Sequence, residues 1–268
     1  MLSFDQGFFG PGSVSWQVHG ELTVLFGGAR ALLMQSAHPL VIAGARETGF
    51  YKRSPWKRLQ RTLMLNYAIT FGTKKDARAA AEHINEVHRR VHGIDPVTGQ
   101  AYHGLDPDLL LWVHATLVHS ALLFERLTVG RLDAAGRQRF HEEQMLVGEM
   151  LELPREKIPP TVEELSEYMR DVVAGDTLIV TDAALEVADL FREFPPEAEW
   201  KPVLRAISFW SFATLPPKLR EAYGVRWSPA RDVAARVSLA ALKRLRPAIP
   251  RRYRRILIAE QARIRTSG

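Results

Sequence analysis

Asp76-Ala77-Arg78-Ala79-Ala80-Ala81-Glu82-His83-Ile84-Asn85-Glu86-Val87-His88-Arg89-Arg90-Val91 is the stretch whose reading decides the fold class. Ala77, Ala80, Ala81, Ile84, Val87 and Val91 recur at three- and four-residue intervals, the period of one face of an α-helix. At roughly 100° per residue, His88 falls about 40° from Ile84, inside the apolar stripe, and His92 about 80° away, at its edge. A buried imidazole needs a partner for each ring nitrogen. A carbonyl and a water would serve, as would a metal or a haem iron, and spacing alone leaves both open.

The same period runs outward in both directions. Ser15 is placed to cap a helix reaching about Phe26, Gly27-Gly28 to bend the chain, and Ala29–Gly44 to form a second, largely buried helix that Pro39 kinks or ends early. Ser54-Pro55 opens a helix through Arg58, Arg61, Thr62 and Leu65 to Phe71, with proline at the first helical position. The helix Asp76–Val91 closes at Gly93, and a turn-rich segment, His92–Asp106, leads to the long apolar helix Pro107–Val129. Asp133–Leu151, a helix capped by Thr161 with Glu164 at capping-box spacing, and Asp182–Phe194 follow. A helix holding Phe209, Trp210 and Phe212 lies between Pro195-Pro196 and Pro216-Pro217; Ser228-Pro229 starts a basic helix and Pro250 the last. No repeat and no hairpin turn signal emerges. The expected architecture is all-α: one multi-helix bundle spanning residues 1–268, with residues 1–14 as a Gly-rich extended arm.

Composition narrows the chemistry. Hydrophobic residues make up 46% and charged residues 25%, enough apolar material for a core. There is no cysteine, which removes disulfides, thiolate zinc sites, iron–sulfur clusters, thiolate-bound haem and a cysteine nucleophile. No G-x-S-x-G, P-loop, G-x-G-x-x-G or H-E-x-x-H is present, and His141-Glu142 lacks the second histidine. The first basic residue is Arg30, so no signal-peptide n-region is seen, and the best apolar stretch, Ala29–Ala45, is interrupted by Arg30, Gln35, His38 and Pro39. These features lead to the expectation of a cytoplasmic protein without a membrane span. The net charge of +6 is uneven: from Lys201 onward 16 Lys and Arg stand against 3 Asp and Glu, or +13, leaving −7 before it. Basic residues there interleave with Val237, Ala241 and Leu245. That pattern suits a solvated or peripheral membrane-contacting face; nucleic acid is not an expected partner.

Arg58, Arg61, Thr62 and Leu65 share one helical face, and two arginines with a hydroxyl on one stripe suit an anion: haem propionate, phosphate or carboxylate. A surface arginine pair would give the same spacing. His38, beside Pro39, and His114, in Trp112-Val113-His114, sit in apolar helices where a satisfied core histidine is equally consistent with the pattern.

Several strings taken together resemble the MpaB-type oxygenases, distant relatives of the latex-clearing proteins. They are Gly28-Ala29-Arg30-Ala31-Leu32-Leu33-Met34-Gln35-Ser36-Ala37-His38-Pro39, Arg58-Leu59-Gln60-Arg61-Thr62, His88-Arg89-Arg90-Val91-His92-Gly93, Leu110-Leu111-Trp112-Val113-His114-Ala115-Thr116, Leu215-Pro216 and Tyr223-Gly224. The resemblance spans roughly residues 16–260. It implies a helical fold enclosing one haem b, with His88 as iron ligand and His92 as fallback. It also implies Arg58, Thr62, His38, His114 and Arg30 at the cofactor, and Arg58 and Arg61 in catalysis. A lysine of latex-clearing proteins that approaches the distal iron aligns with Arg61, whose guanidinium stays protonated and ligates iron poorly. Their acidic base has no clear counterpart; Glu47 is nearest. The implied activity is oxygenation of a small apolar substrate, alkenyl or isoprenoid-like, by dioxygen or peroxide. A non-enzymatic haem carrier or sensor is the alternative. The oligomeric state is left open.

Overall fold

The structure is a computed structural model that describes residues 5–47, 55–193 and 201–267, apart from the side chains of residues 55–59 and 267. Capping side chains set half of the helix starts. Ser13 accepts from the Trp16 amide and begins α1 (Val14–His19). Thr73 and Asp76 form a reciprocal capping box at the start of α5 (Lys74–Arg90), directly after α4 (Pro55–Phe71). Asp106 caps α6 (Pro107–Thr128), Asp133 caps α7 (Ala134–Met150) and Thr161 caps α8 (Val162–Ala174). Thr181 and Ser228 do the same for α9 (Asp182–Asp189) and α12 (Pro229–Leu245). The remaining helices are α2 (Phe26–Ser36), α3 (Pro39–Glu47), α10 (Lys201–Ala213), α11 (Pro217–Ala222), α13 (Arg251–Arg254) and α14 (Leu257–Ser267). The expectation of an all-α bundle holds.

α6 is the axis of the bundle, with α2 along one side and α7, α8 and α12 around it. Trp112 and Ala115 of α6, Leu33 and Met34 of α2, Phe140, Leu165, Phe212 and Tyr223 form the larger apolar cluster. A second joins Trp16, Tyr67, Ile69, Phe71, Ala80, Val147 and Ile256 around α1, α4, α5 and α14. Glu21 is buried and receives Arg246 through Nη2 at 2.5 Å and Nε at 3.1 Å, with Arg255 at 3.3 Å, so the C-terminal segment is clasped against α1.

Local expectations change in four places. Gly27-Gly28 does not bend the chain; it lies inside α2, where a Cβ on Gly27 would meet the Ser120 carbonyl at 2.8 Å. The glycine is there for the close approach of α2 to α6. The helix expected from Ser15 is the short α1, and Ser15 is buried, its hydroxyl accepting from Gln144. The segment after α5 holds a hairpin, β1 (His92–Ile94) antiparallel to β2 (Ala101–His103), closed by Asp95 accepting from the amide and hydroxyl of Thr98 and by Gly99 at φ 70°. Strands of three residues are too short for alternation to register, and their turn is not a two-residue one. Finally, α6 is long and apolar enough to cross a membrane by length and composition, whereas the sequence reading takes the interrupted Ala29–Ala45 as the best apolar stretch. A little over half of the most apolar window of α6 is packed inside the bundle.

Candidate functional site

His88 lies in the last turn of α5, just before the hairpin. It is half-buried, and its Nδ1 is fully enclosed with no hydrogen-bond partner. Burial lowers its pKa, against the partly opposing charge of Glu152, so the imidazole is neutral near pH 7 and keeps a lone pair. The neighbouring backbone is fixed by close contacts. A Cβ on Gly104 would lie 2.4 Å from the His88 carbonyl, and the Gly104 amide donates to the Val91 carbonyl at 2.7 Å. A Cβ on Gly44 would meet Val91 Cγ1 at 2.9 Å, so α3 lies directly on the hairpin. Glu47 at the end of α3 accepts from the His92 amide and the Tyr102 hydroxyl, both at 3.2 Å. The Val91 and Gly93 that follow His88 are therefore the residues through which α3 and the hairpin hold it.

The stripe on α5 is turned slightly from its expected position. Ala77, Ala80, Ala81 and Asn85 are buried, whereas Val87 is exposed. Asn85 donates to the Met150 carbonyl at 3.0 Å, which draws that face toward α7. His92 does not continue the helix. It lies in β1 and is exposed, because α5 stops at Arg90.

On α4, Arg61 and Thr62 are exposed, and Arg61 Nη2 donates to His83 Nε2 at 2.9 Å. His83 precedes His88 by five residues, about 7.5 Å along the helix axis. The side chain of Arg58 lies outside the described residues.

Arg30, His38 and His114 occupy a different region, the seam between α2, α3 and α6. Arg30 is 3% exposed. Its Nε donates to the Thr214 carbonyl at 2.9 Å, and its Nη1 to Ser120 Oγ at 2.7 Å and His119 Nδ1 at 3.3 Å. Burial pushes Arg30 down to about 10, and burial with Arg30 and Arg126 nearby pushes His119 down to about 3. Gln35 donates to Thr116 Oγ1 at 3.0 Å. His38 is buried with Nδ1 unpartnered and its pKa lowered by burial, Asp106 opposing. His114 is buried with Nε2 unpartnered; burial, and secondarily His141, push it down to about 4. His141 is buried on α7, and its Nε2 donates to the Pro159 carbonyl at 2.6 Å, leaving the lone pair on an enclosed, unpartnered Nδ1. Sequence reading set His141 aside with the missing H-E-x-x-H. The signal that marks it as interior is the run Phe140, Gln144, Met145, Gly148 at helical spacing around it.

Among the described residues no three histidine or carboxylate side chains converge as a metal-binding group. Two surface hollows, of about 330 and 440 Å³, lie beside α12 and around Trp227; neither is lined by His88, His38 or His114. The motif strings thus fall into two places, the α4–α5 layer with Arg61 and His88 and an interior seam with Arg30 and His114.

The chain matches, over residues 16–245, the family model described as "ER-bound oxygenase mpaB/B'/Rubber oxygenase, catalytic domain". The chain belongs to this family. The match takes in α2 through α12, and with them both groups of residues. It bears out the resemblance drawn from the sequence strings, and it makes the chain a member of an oxygenase family. No curated protein and no solved structure matches it.

Proposed function

We propose that this protein is a haem-b-dependent oxygenase of small apolar substrates, with His88 as the iron ligand. The observation that carries the reading is the His88 imidazole, neutral and half-buried in the last turn of α5, in a member of an oxygenase family. Haem fits the donor set, because its iron takes a single imidazole from the protein and needs no converging cluster of side chains.

Haem b, when bound, supplies the iron at which dioxygen or peroxide is activated. The chain's own contribution is to hold and orient. The hairpin and α3 fix the backbone of His88 through Gly104, Val91 and Gly44. The exposed Arg61, one turn and a half of helix from His88 by way of His83, offers a permanent cation to a propionate, and Thr62 offers a hydroxyl beside it. Arg58, on the same helical face by spacing, joins them. In this proposal His38 and His114 supply neutral imidazoles to the apolar interior, and Arg30 braces the seam that carries them.

The test is the visible spectrum of protein purified from haem-supplemented cells. A Soret band and a haem b pyridine haemochrome are expected, lost in His88→Ala and kept in His92→Ala. The reverse pattern would move the ligand to His92, and no haem in a folded wild-type protein would end the reading. Oxygen uptake with short terpenoids and unsaturated lipids, apo and haem-loaded side by side, then separates an oxygenase from a haem carrier: a fully loaded protein inactive across the panel is the carrier.

A further inference from the structure

α12 is apolar on two opposite faces. Ala235 and Leu239 are buried, with α6 and α10 as its principal packing partners. On the other side Val233, Ala234, Val237 and Ala241 succeed one another at helical spacing, and all four are exposed, Val237 at 61%. A surface helix ordinarily turns polar residues outward. The next helices repeat the feature, with Leu257 at 71% and Ile264 at 67% exposure and Tyr253 also exposed. Basic residues border these positions: Arg231, Arg236, Lys243 and Arg244 on α12 and Arg251 and Arg252 on α13, all exposed, in a segment (residues 229–268) with 11 Lys and Arg and only 2 Asp and Glu.

We infer that the exposed apolar face of α12, with its basic border, is a docking surface for an anionic lipid bilayer. The combination of exposed apolar side chains and a basic border is what an interfacial membrane element requires: apolar area to enter the headgroup boundary, and cations to meet anionic lipid. The other occupants fit less well. Apposing this face with its copy would bring two strongly basic borders together, and nucleic acid would use the arginines while leaving Val233 and Val237 in water. A hollow of about 330 Å³ opens beside α12, with Arg126, Arg236 and Lys243 at its edge and Leu127 and Leu239 within it. Lys243 is held there by donating to the Arg126 carbonyl at 2.9 Å. In the docked protein the exposed apolar face of α12 lies against the acyl boundary, and the hollow, which Asp232 also lines, stays at its margin.

Vesicle flotation of the full-length protein tests this, using phosphatidylglycerol–phosphatidylcholine vesicles against phosphatidylcholine alone. Binding to the anionic vesicles only is expected, weakening as salt is raised. Val233→Ser with Val237→Ser keeps the charge and should weaken binding several-fold; Arg236→Glu with Arg244→Glu should weaken it at least about tenfold. All four side chains are exposed, so circular dichroism and melting should match wild type. Absence of binding to anionic vesicles at low salt would overturn the proposal. So would undiminished binding by the serine pair. Self-association that the serine pair dissolves would assign the face to a second copy instead.

Discussion

The seam between α2 and α6 and the layer formed by α4 and α5 use the same residue types to different ends. In the seam Arg30 is enclosed and all its visible bonds go to the protein: a carbonyl on α10's trailing turn, a serine and a histidine on α6. In the α4–α5 layer Arg61 is exposed, with one bond to an imidazole that is itself partly solvated. Arg30 is committed to cross-linking three segments, so it sustains the scaffold. Arg61 retains donors for an incoming anion. An arginine in a motif string therefore says little about its role until its burial is known, because guanidinium serves equally as an interior clamp and as an anion receptor.

The sharpest way to break this comparison is acid. His19 and His114 are interior, and burial pushes each down to about 4. A folded-state pKa below the unfolded value of about 6.5 means that the unfolded chain takes up the proton first. Stability is then fully present above about pH 6.5 and falls as pH drops toward 4, by about 1.4 kcal/mol per pH unit for each histidine. Both together imply a loss of several kcal/mol at pH 4, measured as the denaturation midpoint against pH. His114→Gln should flatten the slope by about one proton; an unchanged slope would place the titration elsewhere.

Arg30→Ala comes next. It leaves the buried Thr214 carbonyl and Ser120 hydroxyl without their donor, and a loss of about 3 kcal/mol is expected in urea unfolding. A loss under about 1 kcal/mol would show that the seam does not depend on it.

Gly44→Ala sharpens the accessible side. The new Cβ meets Val91 Cγ1 at 2.9 Å, so α3 and the hairpin must part slightly. The expected cost is about 1–2 kcal/mol and, on the proposed haem reading, a shifted or weakened Soret band, since the hairpin packs on the residues that follow His88. A spectrum and stability equal to wild type would separate the hairpin from the site.

The smallest effect on stability belongs to Arg61→Ala, within about 0.5 kcal/mol for an exposed side chain. On the proposed haem reading, haem affinity should nevertheless fall, read by haem transfer to apomyoglobin. Arg61→Lys should recover part of it by restoring the charge without the fork. Unaltered haem retention in Arg61→Ala would take Arg61 out of the site.

Periodicity, capping residues and motif strings were sufficient to determine the helical class, most helix starts and the placement of His88 on an inward-turned helix, because these depend on neighbours three or four residues apart. The family followed from five short strings in order, each carried by one local segment. Other features required the tertiary structure. That Gly27 serves a helix crossing and not a bend depends on Ser120, far along the chain. His92 leaves the helix because β1 finds its partner only after the turn at Asp95–Gly99, in strands too short to show a period. Arg30 becomes interior and Arg61 stays outside although both stand in helical motif strings, since burial is set by what packs on each face. The second apolar face of α12 was legible only as interleaved charge and hydrophobicity; that one face is filled and the other is open was decided by where α6 and α10 lie, and long-range packing of that kind leaves no local signature in the chain.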